Sequence, residues 1–211
     1  MNNPGEGSRS HDSTEPIGVI LAGGRGARIG GAKATVELHG RPLIAYPFEV
    51  LASVLAEVVV ITKSETELPS LPGATVWVEP HAIHHPLIGI IHALGLAGGR
   101  QVLICAADLP FVTAEVVRLL VEAELGDAPA LIVSSGGRIQ PLLGRYQPKV
   151  TELLAASEIG PEVRVQEAIA ALGPRVLELD DPDALFNVNS PDDLLQAAAM
   201  LDRRRGPKAK P

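Results

Sequence analysis

The chain has 211 residues, 46% hydrophobic and 20% charged, a size and balance that suit one well-cored globular domain and exclude a disordered or fibrous chain. Its 25 acidic residues outweigh 18 lysines and arginines, for a net charge of −7, and aromatics make up only 3%, so neither a nucleic-acid-gripping surface nor a base-stacking platform is expected. The single cysteine, Cys105, excludes an internal disulfide and fits a reducing, cytoplasmic setting; the polar first sixteen residues predict no targeting segment, and no run approaches the roughly 18 residues of a membrane span.

Residues 1–15 are rich in Gly, Ser, Asn and Pro and predict a disordered arm. Residues 16–202 predict one domain, and 203–211 a solvated basic tail. Short β-branched runs at Ile17–Leu21, Val58–Thr62, Thr75–Val78, 102–105 and 130–133 predict strands covered on both faces, as in a parallel sheet between helices. Helical patterns fall between them. Residues 42–55 predict a helix with Pro42 in its first turn, and 87–97 predict a second. Thr113 reads as the N-cap of a third, with Glu115 in its first turn. A strand or hairpin is expected around 140–146, with small helices after it. Ser190-Pro191-Asp192-Asp193 reads as a cap, a first-turn proline and two acids, opening a helix to about Leu201. The alternation predicts an α/β fold: a Rossmann-like, doubly wound, mostly parallel sheet in a three-layer α/β/α sandwich.

The most informative stretch is 21–33, directly after the first strand. It holds five glycines (Gly23, Gly24, Gly26, Gly30 and Gly31) with Arg28 and Lys33. Glycine lets backbone N–H groups converge on phosphate, and a planar guanidinium beside a mobile ammonium adds fixed and flexible positive charge. An ordinary glycine turn is the competing reading, and the two cations weigh against it. The stretch matches neither the dinucleotide fingerprint nor the Walker pattern. A second candidate is Asp108 in Ala107-Asp108-Leu109-Pro110, at the carboxyl end of an apolar strand, where open α/β sheets bind ligands. Its carboxylate suits Mg²⁺, although a turn or cap role is the alternative. A third is Asn189 in Phe186-Asn187-Val188-Asn189, whose side-chain carbonyl is a possible metal ligand. His81, His84, His85 and His92 lack the spacing of a zinc motif, and Cys105, inside a strand pattern, reads as a buried, inert thiol.

These stretches, with Gly40-Arg41-Pro42-Leu43-Ile44, 86–89 and Asn187 to Asp193, resemble the molybdenum cofactor guanylyltransferases, within the larger group of nucleotidyltransferases with a Rossmann-like fold. The motifs stand in family order across most of 17–202. Cytidylyltransferases acting on the same pterin are similar at the first motif and less so at the last. The resemblance implies that the backbone of Leu21, Ala22, Gly23 and Gly24 holds the nucleotide, that Lys33 and Arg28 meet its phosphates, and that Asp108 binds Mg²⁺ with Asn189 sharing the metal. Gln140-Pro141-Leu142 would line the acceptor side. The chain departs from the family at His85-Pro86-Leu87, where Gly-Pro-Leu is usual, at Val60-Ile61-Thr62, and at Glu79-Pro80, where an aspartate is usual. These departures bear on base selection more than on phosphate chemistry.

The implied reaction transfers GMP from GTP, or the nucleotide of another NTP, to the phosphate of molybdopterin, with pyrophosphate leaving. Lys33, Arg28 and Asp108 would be the catalytic residues. The attacking phosphate is already ionised near neutral pH, so no side-chain base is required. Cytidylyl transfer to the same or another phosphorylated acceptor, and a non-catalytic nucleotide- or cofactor-binding protein of the same fold, are the alternatives. Expected partners are the nucleotide, molybdopterin and proteins of the cofactor pathway, with no nucleic acid or membrane, in a cytoplasmic monomer or weak oligomer.

Overall fold

The structure is a computed structural model that describes residues 15–23, 35–80, 83–155 and 159–205. Strand β1 (Ile17–Leu21) is followed, across residues outside that description, by a small hairpin of β2 (Glu37–Leu38) and β3 (Arg41–Pro42). Then come α1 (Ala45–Val54), β4 (Val58–Thr62), β5 (Thr75–Val78), α2 (Pro86–Leu96), β6 (Val102–Ala106) and α3 (Ala114–Glu122). The second half contains β7 (Ala130–Ser135), β8 (Arg138–Tyr146), α4 (Val150–Ala155), α5 (Val165–Ala171) and β9 (Arg175–Glu178). A 3₁₀ turn (Pro182–Leu185) and α6 (Pro191–Arg205) close the described chain.

Seven strands form one sheet in the order β5-β4-β1-β6-β8-β7-β9. The β5-β4-β1-β6 half is parallel throughout, whereas β8 runs antiparallel to both β6 and β7, and β9 returns parallel to β7. The sheet is therefore mostly parallel and the fold a Rossmann-like α/β sandwich. Alternate strand residues serve opposite faces. Ile20, Val58, Val60, Leu103, Cys105, Leu131 and Val133 enter the core beneath α1 and α3. Val19, Val59, Ile61, Val102, Ile104, Ala130 and Ile132 enter the core beneath α2, α4 and α5. Burial on both faces is why these strands read as unbroken apolar runs.

Pro42 lies in β3 rather than in a helix. It pairs opposite Glu37, and α1 starts three residues later. The hairpin needs a two-residue turn with both central residues at positive φ, and His39 (52°) and Gly40 (71°) supply it. A proline without an N–H is tolerated on so short an edge strand. The predicted caps are present: Val116 N–H donates to Thr113 Oγ at 3.3 Å, and Asp193 N–H to Ser190 Oγ at 3.2 Å. Asn189 N–H, one residue before the cap, donates to Asp193 Oδ2 at 2.9 Å and adds a second tie at the start of α6. That helix runs past Leu201 to Arg205, so the first basic residues of the expected tail are helical. Arg204 sits 4.8 Å over the Phe111 ring and 3.1 Å from the Asp181 carboxylate, which anchors this last turn.

Gly144 of β8 lies in register with Ile104 on one side and Ile132 on the other. A Cβ there would stand 2.6 Å from Ile132 Cδ1 and 2.8 Å from the Leu131 carbonyl oxygen. The side chain can turn away, but the paired backbone cannot. Gly144→Ala is expected to cost about 2–3 kcal/mol, lowering the Tm by roughly 4–12 °C for a chain of this size. Calorimetry checks this; an unchanged Tm would contradict the close pairing.

Candidate active site

The chain runs outward from β1 through β4 to β5 and then crosses back to place β6 on the other side of β1. That reversal opens a crevice at the carboxyl ends of β1 and β6, the place where open α/β sheets bind ligands. Backbone hydrogen bonds fix its floor. Ala22 N–H donates to the Ile61 carbonyl at 2.8 Å, Ala107 N–H to Leu21 at 3.2 Å, and Val188 N–H to the Asp108 carbonyl at 3.0 Å. The resulting cleft has a volume of about 650 Å³, within the range of small-molecule sites.

Leu21, Ala22, Gly23 and Asp108 all line this cleft, so the described part of the glycine bend and the aspartate share one cavity. Asp108 is 8% exposed, directed by the turn that ends β6. Leu142 of β8 also lines the cleft, while the Gln140 amide donates to Asn187 Oδ1 at 3.0 Å and holds β8 against the segment before α6. Asn189 is exposed and stands just beyond Val188, outside the lining. Gly24, Arg28 and Lys33 lie outside the described residues, as does His81.

His84 and His85, whose spacing matches no zinc motif, belong to the cleft wall. The His84 Nδ1–H group donates to the Gly23 carbonyl at 3.2 Å, and its Nε2 is 3.5 Å from Glu65. The Glu65 carboxyl is held below its usual range by its own backbone N–H, by the Ser64 hydroxyl and, more weakly, by the charges of His84 and Lys63. His85 caps α2: its Nδ1 accepts from Leu87 N–H at 3.3 Å, and its Nε2–H donates to the Val163 carbonyl at 2.9 Å. These partners define the neutral Nε2–H tautomer. At the usual glycine position, this chain therefore carries a residue that joins the start of α2 to the segment before α5.

Lys63 and Glu79 were not singled out as a pair by sequence. They follow β4 and β5 directly and form a buried ion pair in the cleft wall, with Nζ to Oε1 at 2.6 Å. Charged residues immediately after two apolar strand runs were the available signal. Cys105 lies below the floor, fully buried; burial pushes its thiol pKa well up, with a smaller push from Asp108, so it is inert as expected.

A mostly parallel sheet with a crevice at its reversal point, lined by Leu21, Ala22, Gly23 and Asp108, has the arrangement of the α/β proteins that bind ligands beyond the carboxyl ends of their strands. The sequence profile of the MobA-like NTP transferase domain matches residues 18–175, and the chain belongs to that family of nucleotidyltransferases. It is 33% identical over 189 residues to a molybdenum cofactor guanylyltransferase of Cereibacter sphaeroides, covering 88% of this chain and 96% of the relative. To one of Shewanella sp. strain ANA-3 it is 30% identical over 196 residues, with the same coverage. The solved structure of molybdopterin-guanine dinucleotide biosynthesis protein A from Archaeoglobus fulgidus shares the fold, with a TM-score of 0.71 at 24% identity over 89% of this chain and 99% of that one. Among the described residues, no helix is long and apolar enough to cross a membrane.

Proposed function

We propose that this chain transfers GMP from GTP to the terminal phosphate of molybdopterin and releases pyrophosphate. The observation that carries this reading is 33% identity across 96% of a relative named for that activity; the shared cavity of Leu21, Ala22, Gly23 and Asp108 supports it. An oxygen of the acceptor phosphate attacks the α-phosphorus of GTP, a new P–O bond forms, and the bond to the β-phosphate breaks. Two anions must be brought together while charge accumulates on the leaving oxygens. Positioning and fixed positive charge therefore supply most of the rate.

The residues divide that work. The β1 turn at Leu21, Ala22 and Gly23 offers backbone to the nucleotide, continued by Gly24. Arg28 and Lys33 neutralise the triphosphate and the departing pyrophosphate. Asp108 suits Mg²⁺ because that ion uses one or two protein carboxylates and takes its other oxygens from phosphate and water. Asp108 would hold the ion, with Asn189 as the further oxygen donor, and it would supply Lewis-acid charge to the phosphates. The reaction belongs in the cytoplasm, where the chain meets GTP and other proteins of the cofactor pathway as a monomer or weak oligomer.

Transfer of α-phosphate label to molybdopterin in mixtures of GTP, CTP and ATP tests the reading. Label is expected from GTP, and only before chelation by EDTA. Label from CTP alone would replace guanylyl with cytidylyl transfer; tight binding without transfer from any nucleotide would make the chain a binding protein.

A further inference from the structure

His84 stands in the cleft wall between two fastened neighbours. The Ile83 carbonyl accepts from the Lys63 ammonium at 3.0 Å, and His85 is tied to the Leu87 N–H and the Val163 carbonyl. The ring between them is held in place, with its side chain 22% exposed. It reaches across 61 positions of sequence to the Gly23 carbonyl, 3.2 Å from Nδ1. Other contacts fix the rest of that bend. Ala22 N–H donates to the Ile61 carbonyl, and a Cβ on Gly23 would stand 3.4 Å from Lys63 Cγ. His84 supplies the tie at the carbonyl itself.

Donor and acceptor roles set the form of the ring. A carbonyl oxygen only accepts, so Nδ1 carries a proton. Nε2 lies 3.5 Å from Glu65 Oε1, and an ionised carboxylate also only accepts. A neutral ring would set its Nε2 lone pair against that negative charge; an imidazolium sets an N–H there instead. Both ring nitrogens thus have an acceptor beside them, the pattern of the doubly protonated ring. The other charged groups nearby, among the described residues, are Lys63 and Glu79, paired at 2.6 Å, and Asp108 in the same cleft. His85, next in the chain, is neutral by its own partners.

We infer that His84, as an imidazolium, is a positioning residue for the nucleotide: it holds the Gly23 carbonyl and brings one positive charge to the cleft, so that protonation of His84 and binding of GTP promote each other. This inference rests on the nucleotide-transfer reading above. A carbonyl oxygen left without a donor in the cleft would repel a phosphate group, and the tie to Nδ1 removes that repulsion. The added charge attracts the triphosphate. Linkage makes the coupling reciprocal: GTP draws a proton from the buffer onto the ring.

Calorimetric titration of the full chain with GTP and Mg²⁺, from about pH 6 to about pH 8.5 and in buffers of different ionisation enthalpy, counts the protons exchanged. The parent is expected to take up part of a proton and to bind GTP about fivefold more weakly as the pH rises across that range, the difference between a charged and a neutral donor. Magnesium-bound GTP can only lose a proton on entering a cationic site, so uptake belongs to the protein. His84→Asn keeps a neutral donor for the Gly23 carbonyl; it should take up none and hold an affinity near the parent's value at high pH. Glu65→Gln changes a side chain that is 64% exposed and leaves His84 in place, and the fall in affinity should begin at lower pH. The same uptake in His84→Asn, or a parental pH profile in Glu65→Gln, would overturn the inference while leaving guanylyl transfer intact. A parent that takes up no proton anywhere in that range would also overturn it, whether or not the variants fold. Failure to bind GTP at any pH would overturn both readings.

Discussion

Asp108→Asn is expected to lower guanylyl transfer by on the order of 10³-fold while leaving the Tm and the far-ultraviolet circular dichroism of the parent. The substitution keeps side-chain size at a position that is 8% exposed at the end of β6, and the turn there is held by backbone bonds from Val188 and Leu109 that do not use the carboxylate. It removes the Asp108 carboxylate charge from the cleft that Leu21, Ala22 and Gly23 also line. An amide oxygen is a far weaker partner for Mg²⁺, so the remaining activity should need much higher magnesium and should show a shallower saturation curve. Steady-state rates over a magnesium series check this. A parental rate at parental magnesium would remove Asp108 from the site.

Lys33→Ala removes the lysine proposed to meet the triphosphate. Loss of one preorganised positive group at a developing anion costs about 2–4 kcal/mol of transition-state stabilisation, or on the order of 10²–10³ in rate. Because the lysine is assigned to the triphosphate and the leaving pyrophosphate, kcat should fall more than the affinity for GTP. A point charge also tolerates its neighbour: Lys33→Arg should recover part of the rate, since either cation neutralises phosphate. Equal losses in kcat and in GTP affinity would make Lys33 a binding residue alone, and no loss would contradict its assignment.

Much of the fold was legible because burial on both faces leaves a plain mark. Ile17–Leu21 and Val58–Thr62 read directly as strands and have those bounds, as does Thr75–Val78, which is a mostly exposed edge strand and not covered on both faces as expected. The caps at Thr113 and Ser190 were legible because they are local, formed within three residues. Pro42 misled because proline suits both the first turn of a helix and a short edge strand; pairing with Glu37 decides between them, and that pairing depends on the turn at His39 and Gly40. β9 escaped notice because Arg175–Glu178 is short and mostly exposed, and its place beside β7 is tertiary.

The site divides the same way. Asp108 was visible from a carboxylate placed just past an apolar strand, and the first residues of the glycine bend from their composition. Lys63 and Glu79 are separated by sixteen positions, and only the pairing of β4 with β5 brings them to 2.6 Å. The local signal, a charged residue directly after an apolar strand run, does not reveal the pairing. His85 was legible as a departure from the family, but its role in capping α2 and holding the Val163 carbonyl is tertiary.

The most direct measurement is pyrophosphate release on mixing the purified chain with GTP, Mg²⁺ and molybdopterin, with each component omitted in turn. The account predicts one pyrophosphate per dinucleotide formed, and none when GTP, the metal or the acceptor is absent. Acceptor-independent release, or stable nucleotide binding with no release at all, would contradict it.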